Sequence, residues 1–102
     1  MIAYKLFRVR KDGTLGPLFI NRKQRIDADL PVWLKAQKHR TQGFTFRPGW
    51  HCCSKPLAPH LSMKGRKWFT VQITDYQRHH RPLAQGGLWF TAKWMRVLGE
   101  TL

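Results

Sequence analysis

Acidic side chains are nearly missing from this chain: four aspartates and one glutamate stand against nineteen lysines and arginines in 102 residues. That shortage leaves little for acid–base hydrolysis, which works with paired carboxylates. Asp12 falls in a turn, Asp29 at a helix cap and Glu100 near the end of the sequence, so only Asp27 and Asp75 remain uncommitted. Cysteine is scarce too. Cys52 and Cys53 are adjacent, and a disulfide between sequence neighbours is strained by the geometry the bond requires, so no disulfide framework is expected and both thiols should be reduced. No apolar run approaches the roughly 20 residues of a membrane-spanning helix. The opening Met1-Ile2-Ala3-Tyr4-Lys5 lacks the basic, apolar and small-residue sections of a secretory signal, so the chain reads as cytoplasmic with no membrane partner. Glycine-rich phosphate loops, nucleophile elbows, paired nuclease carboxylates, internal repeats and low-complexity tracts are absent as well.

What is present is a core-forming sequence under a heavy positive charge. Hydrophobic residues make up 42% of the chain and aromatic residues 13%, enough to fold one small domain over residues 1–102 without disulfides or metals. The net charge is +14 and the isoelectric point about 11.0. An excess of this size usually marks a surface that meets phosphate, because each cation placed on a nucleic-acid backbone releases condensed counterions.

The patterning predicts mostly strands. Residues 2–10 are rich in strand formers, and Asp12-Gly13 supplies the positive φ of a tight hairpin turn returning through residues 15–20, where Pro17 implies an edge or an irregular strand. Residues 21–28 are polar. Asp29 before Leu30-Pro31 reads as the cap of a short helix over about residues 30–38. Residues 44–53 form an extended piece bent at Pro48-Gly49, and residues 54–65 form a loop or single turn. Residues 67–74 alternate as a half-buried strand with Phe69, Val71 and Ile73 inward. Residues 76–82 read as a polar connection and Leu88 to Leu98 as a last strand. The expected architecture is α+β: a mainly antiparallel sheet of four or five strands with one short helix.

The cations come in short clusters at Arg8-Lys11, Arg22-Arg25, Lys35-Arg40, Lys64-Lys67 and Arg78-Arg81, most of them in predicted turns. Exposed basic loops held in register by a core can follow a phosphate backbone. Aromatics beside them can stack on unpaired bases, although most tryptophans of so small a domain must fill its core. The candidate nucleic-acid-binding residues are therefore Lys64, Arg66 and Lys67, Arg78 and Arg81, Arg47 from the Pro-Gly bend, and Trp50 and Trp68 as stacking rings. His51, Cys52, Cys53, His60, His79 and His80 have zinc-compatible chemistry but not the spacing of paired ligands, so no metal and no cofactor are expected. A Cys–His nucleophile has no local signature here.

The run from Gly43 to Cys52 (GFTFRPGWHC), with Ala58-Pro59-His60-Leu61-Ser62, Lys64-Gly65-Arg66, Asp75-Tyr76, Arg81-Pro82 and Gln85-Gly86-Gly87-Leu88-Trp89, resembles a group of short uncharacterised proteins of bacteriophage and prophage genomes from gut bacteria. The resemblance covers nearly the whole chain. It implies a phage accessory protein, acting in the host cytoplasm on nucleic acid or on a host or defence process, and it implies no activity. A weaker likeness is to the ADP-ribosyltransferases, through Arg8 and the Gly49-Trp50-His51 bend. That pattern would imply an NAD-using enzyme, and the sequence departs from it because its only glutamate is Glu100. The primary expectation is a nucleic-acid-binding protein. The alternatives are a protein-interaction module that inhibits an acidic host or defence protein, and a minimal ADP-ribosyltransferase-like enzyme.

Overall fold

Alternation of apolar and polar side chains puts one face of each strand toward a common core, and among the described residues it produces an antiparallel sheet of six strands. The computed structural model describes residues 1–18, 24–36 and 49–101. Its strands are β1 (Ile2–Val9), β2 (Leu15–Gly16), β3 (Leu34–Lys35), β4 (Trp50–Cys53), β5 (Arg66–His80) and β6 (Leu88–Glu100), with one 3-10 turn at Leu83–Gln85.

Four of these strands close on one another. β1 pairs with β5 along one edge and meets β4 at Tyr4 and Cys53 on the other. β6 pairs with β5 along one edge and with β4 along the other. The circuit β1-β5-β6-β4 therefore returns to its start, with β2 added to β1 and β3 to β6. Its interior holds Phe7, Val71, Ile73, Phe90, Met95 and Val97, all buried. Phe7 and Phe69 meet edge to face with centroids 5.8 Å apart.

Closure requires the long strands to bend. A straight strand of 15 residues would measure about 50 Å, yet the longest dimension of the molecule is 32 Å. The register of β5 against β6 shifts between Thr70 and Val71, and Asp75 has a φ of +50°. On β5 the inward residues are Phe69, Val71 and Ile73 before Asp75, as the alternation predicts, and Tyr76 beyond it, packed on Phe90 at 5.5 Å. On β6 they are Met95 and Val97, then Ala92 and Phe90. Both strands exchange faces at the same level.

The hairpin turn forms around Asp12-Gly13 but is wider than a two-residue turn, spanning Arg10 to Thr14 between the paired Val9 and Leu15. Asp12 accepts hydrogen bonds from the Thr14 backbone N–H (3.0 Å) and hydroxyl (2.7 Å), Gly13 takes a φ of +86°, and Val9 pairs with Leu15. The helix expected over residues 30–38 is not formed. Of residues 30–36 only Leu34–Lys35 take regular structure, as a strand, residues 37 and 38 lie outside the described set, and no α-helix occurs among the described residues. Tertiary partners outweigh the capping signal at this place. Leu34 pairs with Met95, its carbonyl accepts the Trp50 indole N–H at 2.9 Å, the Ala36 N–H donates to the Lys93 carbonyl at 2.7 Å, and Asp29, the expected cap, donates its own backbone N–H to the Asp27 carboxylate at 2.9 Å. The polar stretch 76–80, expected as a connection, instead continues β5. Its residues find a complete partner in Leu88–Ala92 of β6.

The loop 54–65 folds back over the outside of the ring. Ser54 N–H donates to the Leu88 carbonyl at 3.0 Å, the His60 ring tilts over Trp89 at 5.8 Å, and Leu6, Cys53 and Ala58 are buried without joining the main core. Gly86 is the contact point, with a φ of +95° and no room for a side chain: a β-carbon there would lie 2.5 Å from the Leu57 carbonyl oxygen. Replacing Gly86 with alanine combines left-handed strain with overpacking and should cost about 2 kcal/mol or more. Chemical denaturation checks this, and a midpoint within error of the parent would show that the loop yields freely.

Candidate nucleic-acid interface

The sequence-selected cations occupy the two ends of β5. At the first end, the turn before Arg66 is closed by Arg66 N–H to the Met63 carbonyl (3.0 Å) and tied to β1 by Val9 N–H to the Gly65 carbonyl (2.9 Å). Lys64 is exposed there. The Arg66 guanidinium donates to the Ser62 carbonyl at 3.0 Å, and Lys67 forms an exposed ion pair with Glu100 at 3.1 Å. At the other end, Arg78 and Arg81 are exposed. The Arg78 guanidinium lies 5.7 Å from the centre of the Tyr76 ring, and the Arg81 backbone is anchored by its N–H to the Gly87 carbonyl at 2.7 Å.

This differs from two loops flanking an eight-residue strand. Arg78 belongs to the strand itself, and the exchange of faces at Asp75 sends Arg66 and Arg78 out on opposite sides of the sheet. Arg66 and Arg78 therefore do not share one face, and Lys67, opposite Phe7, leaves on the side away from Arg66. Trp50 is buried at 7% exposure with its indole N–H on the Leu34 carbonyl, so its ring belongs to the core. Trp68 is half-buried and points outward, opposite Phe69, Val71 and Ile73. Arg47, like Phe44 and Phe46, lies outside the described residues.

Carboxylates do little to offset these cations. Glu100 is paired with Lys67, and Asp12 with Arg25 at 2.7 Å. The Thr14 hydrogen bonds, and then Arg25 and Arg10, hold the Asp12 carboxyl below its ordinary range. Asp75 lines an open cleft of about 520 Å³ with Lys35, Gly49, Gln77, Thr91 and Lys93.

Ordinary titration is disturbed most around β4. Half-buried Lys5 donates from Nζ to the His51 carbonyl at 2.7 Å, with its ammonium 5.5 Å from the Phe7 ring centre. Desolvation lowers its pKa, opposed by the nearby Cys52 and Cys53. Burial pushes the Cys52 thiol up to about 11 and the Cys53 thiol to about 12, which opposes nucleophilic use because the thiolate is the reactive form. His79 Nε2 shares a 2.8 Å hydrogen bond with the Thr91 hydroxyl. Among the described residues no three His, Cys, Asp or Glu side chains converge as metal ligands would, and no helix is long and apolar enough to cross a membrane.

Some surface aromatics escaped the sequence reading. Tyr4 on β1 and Trp94 on β6 are half-buried on the same outer face as Trp68, and Trp33, 39% exposed, stacks over Arg96 at 4.9 Å. The available signal was period-two alternation, Tyr4-Leu6-Arg8 on one strand and Trp94-Arg96 on another. Comparisons of the chain with protein-family models, curated proteins and solved structures gave no match.

Proposed function

We propose that this protein binds nucleic acid, with Lys64, Arg66 and Lys67 at one end of β5 and Arg78 and Arg81 at the other contacting phosphates, and Trp68 offering a ring beside them. The observation that carries the reading is the charge ratio: nineteen lysines and arginines to five carboxylates, with two carboxylates already in ion pairs. Cations in such excess gain little from each other and much from a polyanion. Because Arg66 and Arg78 leave opposite faces, the nucleic-acid backbone passes around the edge of the sheet rather than along one straight groove. The setting that goes with the reading, a phage accessory protein, rests on the sequence resemblance alone.

The test replaces Arg66, Lys67, Arg78 and Arg81 with glutamine and measures affinity for duplex DNA over a salt series. Loss of four phosphate contacts should flatten the log–log salt slope by roughly 3 to 4 units and weaken binding alike for all sequences. The Lys67–Glu100 pair is exposed, so its loss should alter stability by about 1 kcal/mol at most. An unchanged slope in a folded variant would reduce both clusters to solvated charge.

A further inference from the structure

Four of the five tryptophans are outside the hydrophobic core: Trp89 lies against the His60 ring under the loop 54–65, and Trp33, Trp68 and Trp94 remain. In a domain of this size a tryptophan is among the largest apolar surfaces available for burial, so three left on one side of the sheet need an explanation. Register gathers them. On the outer face of β1-β5-β6, Tyr4 stands opposite Thr70 and diagonal to Trp68, Gln72 stands between Ile2 and Arg96, and Trp94 stands opposite Thr74. Arg96 is anchored there, its Nε donating to the Gln72 side-chain oxygen at 2.7 Å and its guanidinium lying 4.9 Å from the centre of the Trp33 ring.

From Trp68 to Thr74, the position opposite Trp94, the face extends about 20 Å at 3.3 Å per residue, room for several nucleotides. The strands β1, β5 and β6 carry two carboxylates, Asp75 just beyond Thr74 and Glu100, which is paired with Lys67. Arg66, paired with Arg8 across β1 and β5, continues the same face at one end. An indole face is indifferent to sequence and takes any base, but only a base free of its partner strand, because paired bases are already stacked.

We propose that this face is a stacking platform for single-stranded nucleic acid, with Tyr4, Trp33, Trp68 and Trp94 meeting bases and Arg96 and Arg66 meeting phosphates or base faces. The proposal rests on the nucleic-acid reading above and narrows it to unpaired strands. Alternating rings and guanidinium groups suit bases and phosphates together, whereas a base-free polyanion would use only the charge.

The experiment compares a 12-nucleotide thymidine strand, a duplex of equal length, and heparin, which has charge and no bases, at one salt concentration. The protein should prefer the single strand, and that strand alone should quench tryptophan emission. A Trp33→Ala/Trp68→Leu double variant should lose at least about tenfold in affinity for the strand and keep its affinity for heparin, while Trp33→Phe/Trp68→Phe should keep most of both. A folded double variant with parental affinity for the strand, or emission unmoved when the parent is saturated with it, overturns the platform. If the double variant fails to fold, the emission measurement on the parent decides. In the first two failures a salt slope that still falls in the glutamine variant leaves the charge reading standing. Parent protein that binds neither heparin nor either nucleic acid removes both readings together.

Discussion

Replacing Phe7 with alanine should lower stability by about 3 to 5 kcal/mol, a large share of what a domain of this size possesses. Phe7 has no exposed surface, packs edge to face on Phe69, and lies on the strand that joins β4 to β5. The hole it leaves is bordered by paired backbone on both sides, and a hydrogen-bonded ring collapses poorly into a void. Urea denaturation should show a lower midpoint with the slope retained. Leu83, 88% exposed in the 3-10 turn, is the control, and its change to alanine should move stability by about 0.5 kcal/mol or less. Equal effects from the two would mean that the ring does not carry the fold.

Alkaline pH should destabilise the protein through its two thiols. In the unfolded chain each cysteine loses its proton near the ordinary value of 9.0, whereas burial holds the folded thiols to about 11 for Cys52 and about 12 for Cys53. Between those limits the unfolded state binds fewer protons, so stability falls as pH rises; below pH 9 both states are protonated and the slope from this source vanishes. At roughly 1.4 kcal/mol per unit, the full loss is about 3 kcal/mol for Cys52 and about 4 kcal/mol for Cys53. Lys5 acts in the other direction. Its pKa is lowered from 10.5 in the folded state, so the unfolded state binds the extra proton and stability rises with pH until that value is passed. The decline should therefore start gently and steepen above about 10.5. Denaturation midpoints measured from pH 7 to 11.5 under reductant test this against a Cys52→Ala/Cys53→Ala variant, which should lack the decline. Parallel curves for the two proteins would refute the assignment.

Local alternation made much of the fold readable. Asp12-Gly13 marked its turn, and Phe69, Val71 and Ile73 announced their face before any partner strand was known. What could not be read depended on partners far along the chain. Asp29-Leu30-Pro31 carries the signal of a helix start, and only Met95, Trp94 and the Trp50 indole explain why Leu34–Lys35 is a strand. The polar run after Asp75 looked like a connection because its apolar phase is reversed there, a change that a period-two reading interprets as an end. The same phase reversal separates Arg66 from Arg78. Trp68 was legible as outward-facing because its neighbours were clearly inward. Trp33, Trp94 and Arg96 were not, since the face they share is assembled from three separate stretches of sequence.

Closure of the ring has a consequence in time. Ile2 pairs with Gln72 and Arg8 with Arg66, so β1 leaves the ribosome long before either edge partner exists. At 5 to 20 residues per second, roughly 4 to 14 s separate the synthesis of Ile2 from that of Gln72. Among the described residues, local pairing offers β1 only the two residues of β2 in the meantime. During that interval a strand bearing Leu6 and Phe7 must remain unpaired without recruiting another chain. Lys5, Arg8 and Arg10 alternate with those apolar side chains, and a nascent strand with this much like charge repels its own copies. Like charge on Lys5 and Arg8 of β1, and on Arg10 just beyond it, thus opposes self-association of the growing chain before the ring can close.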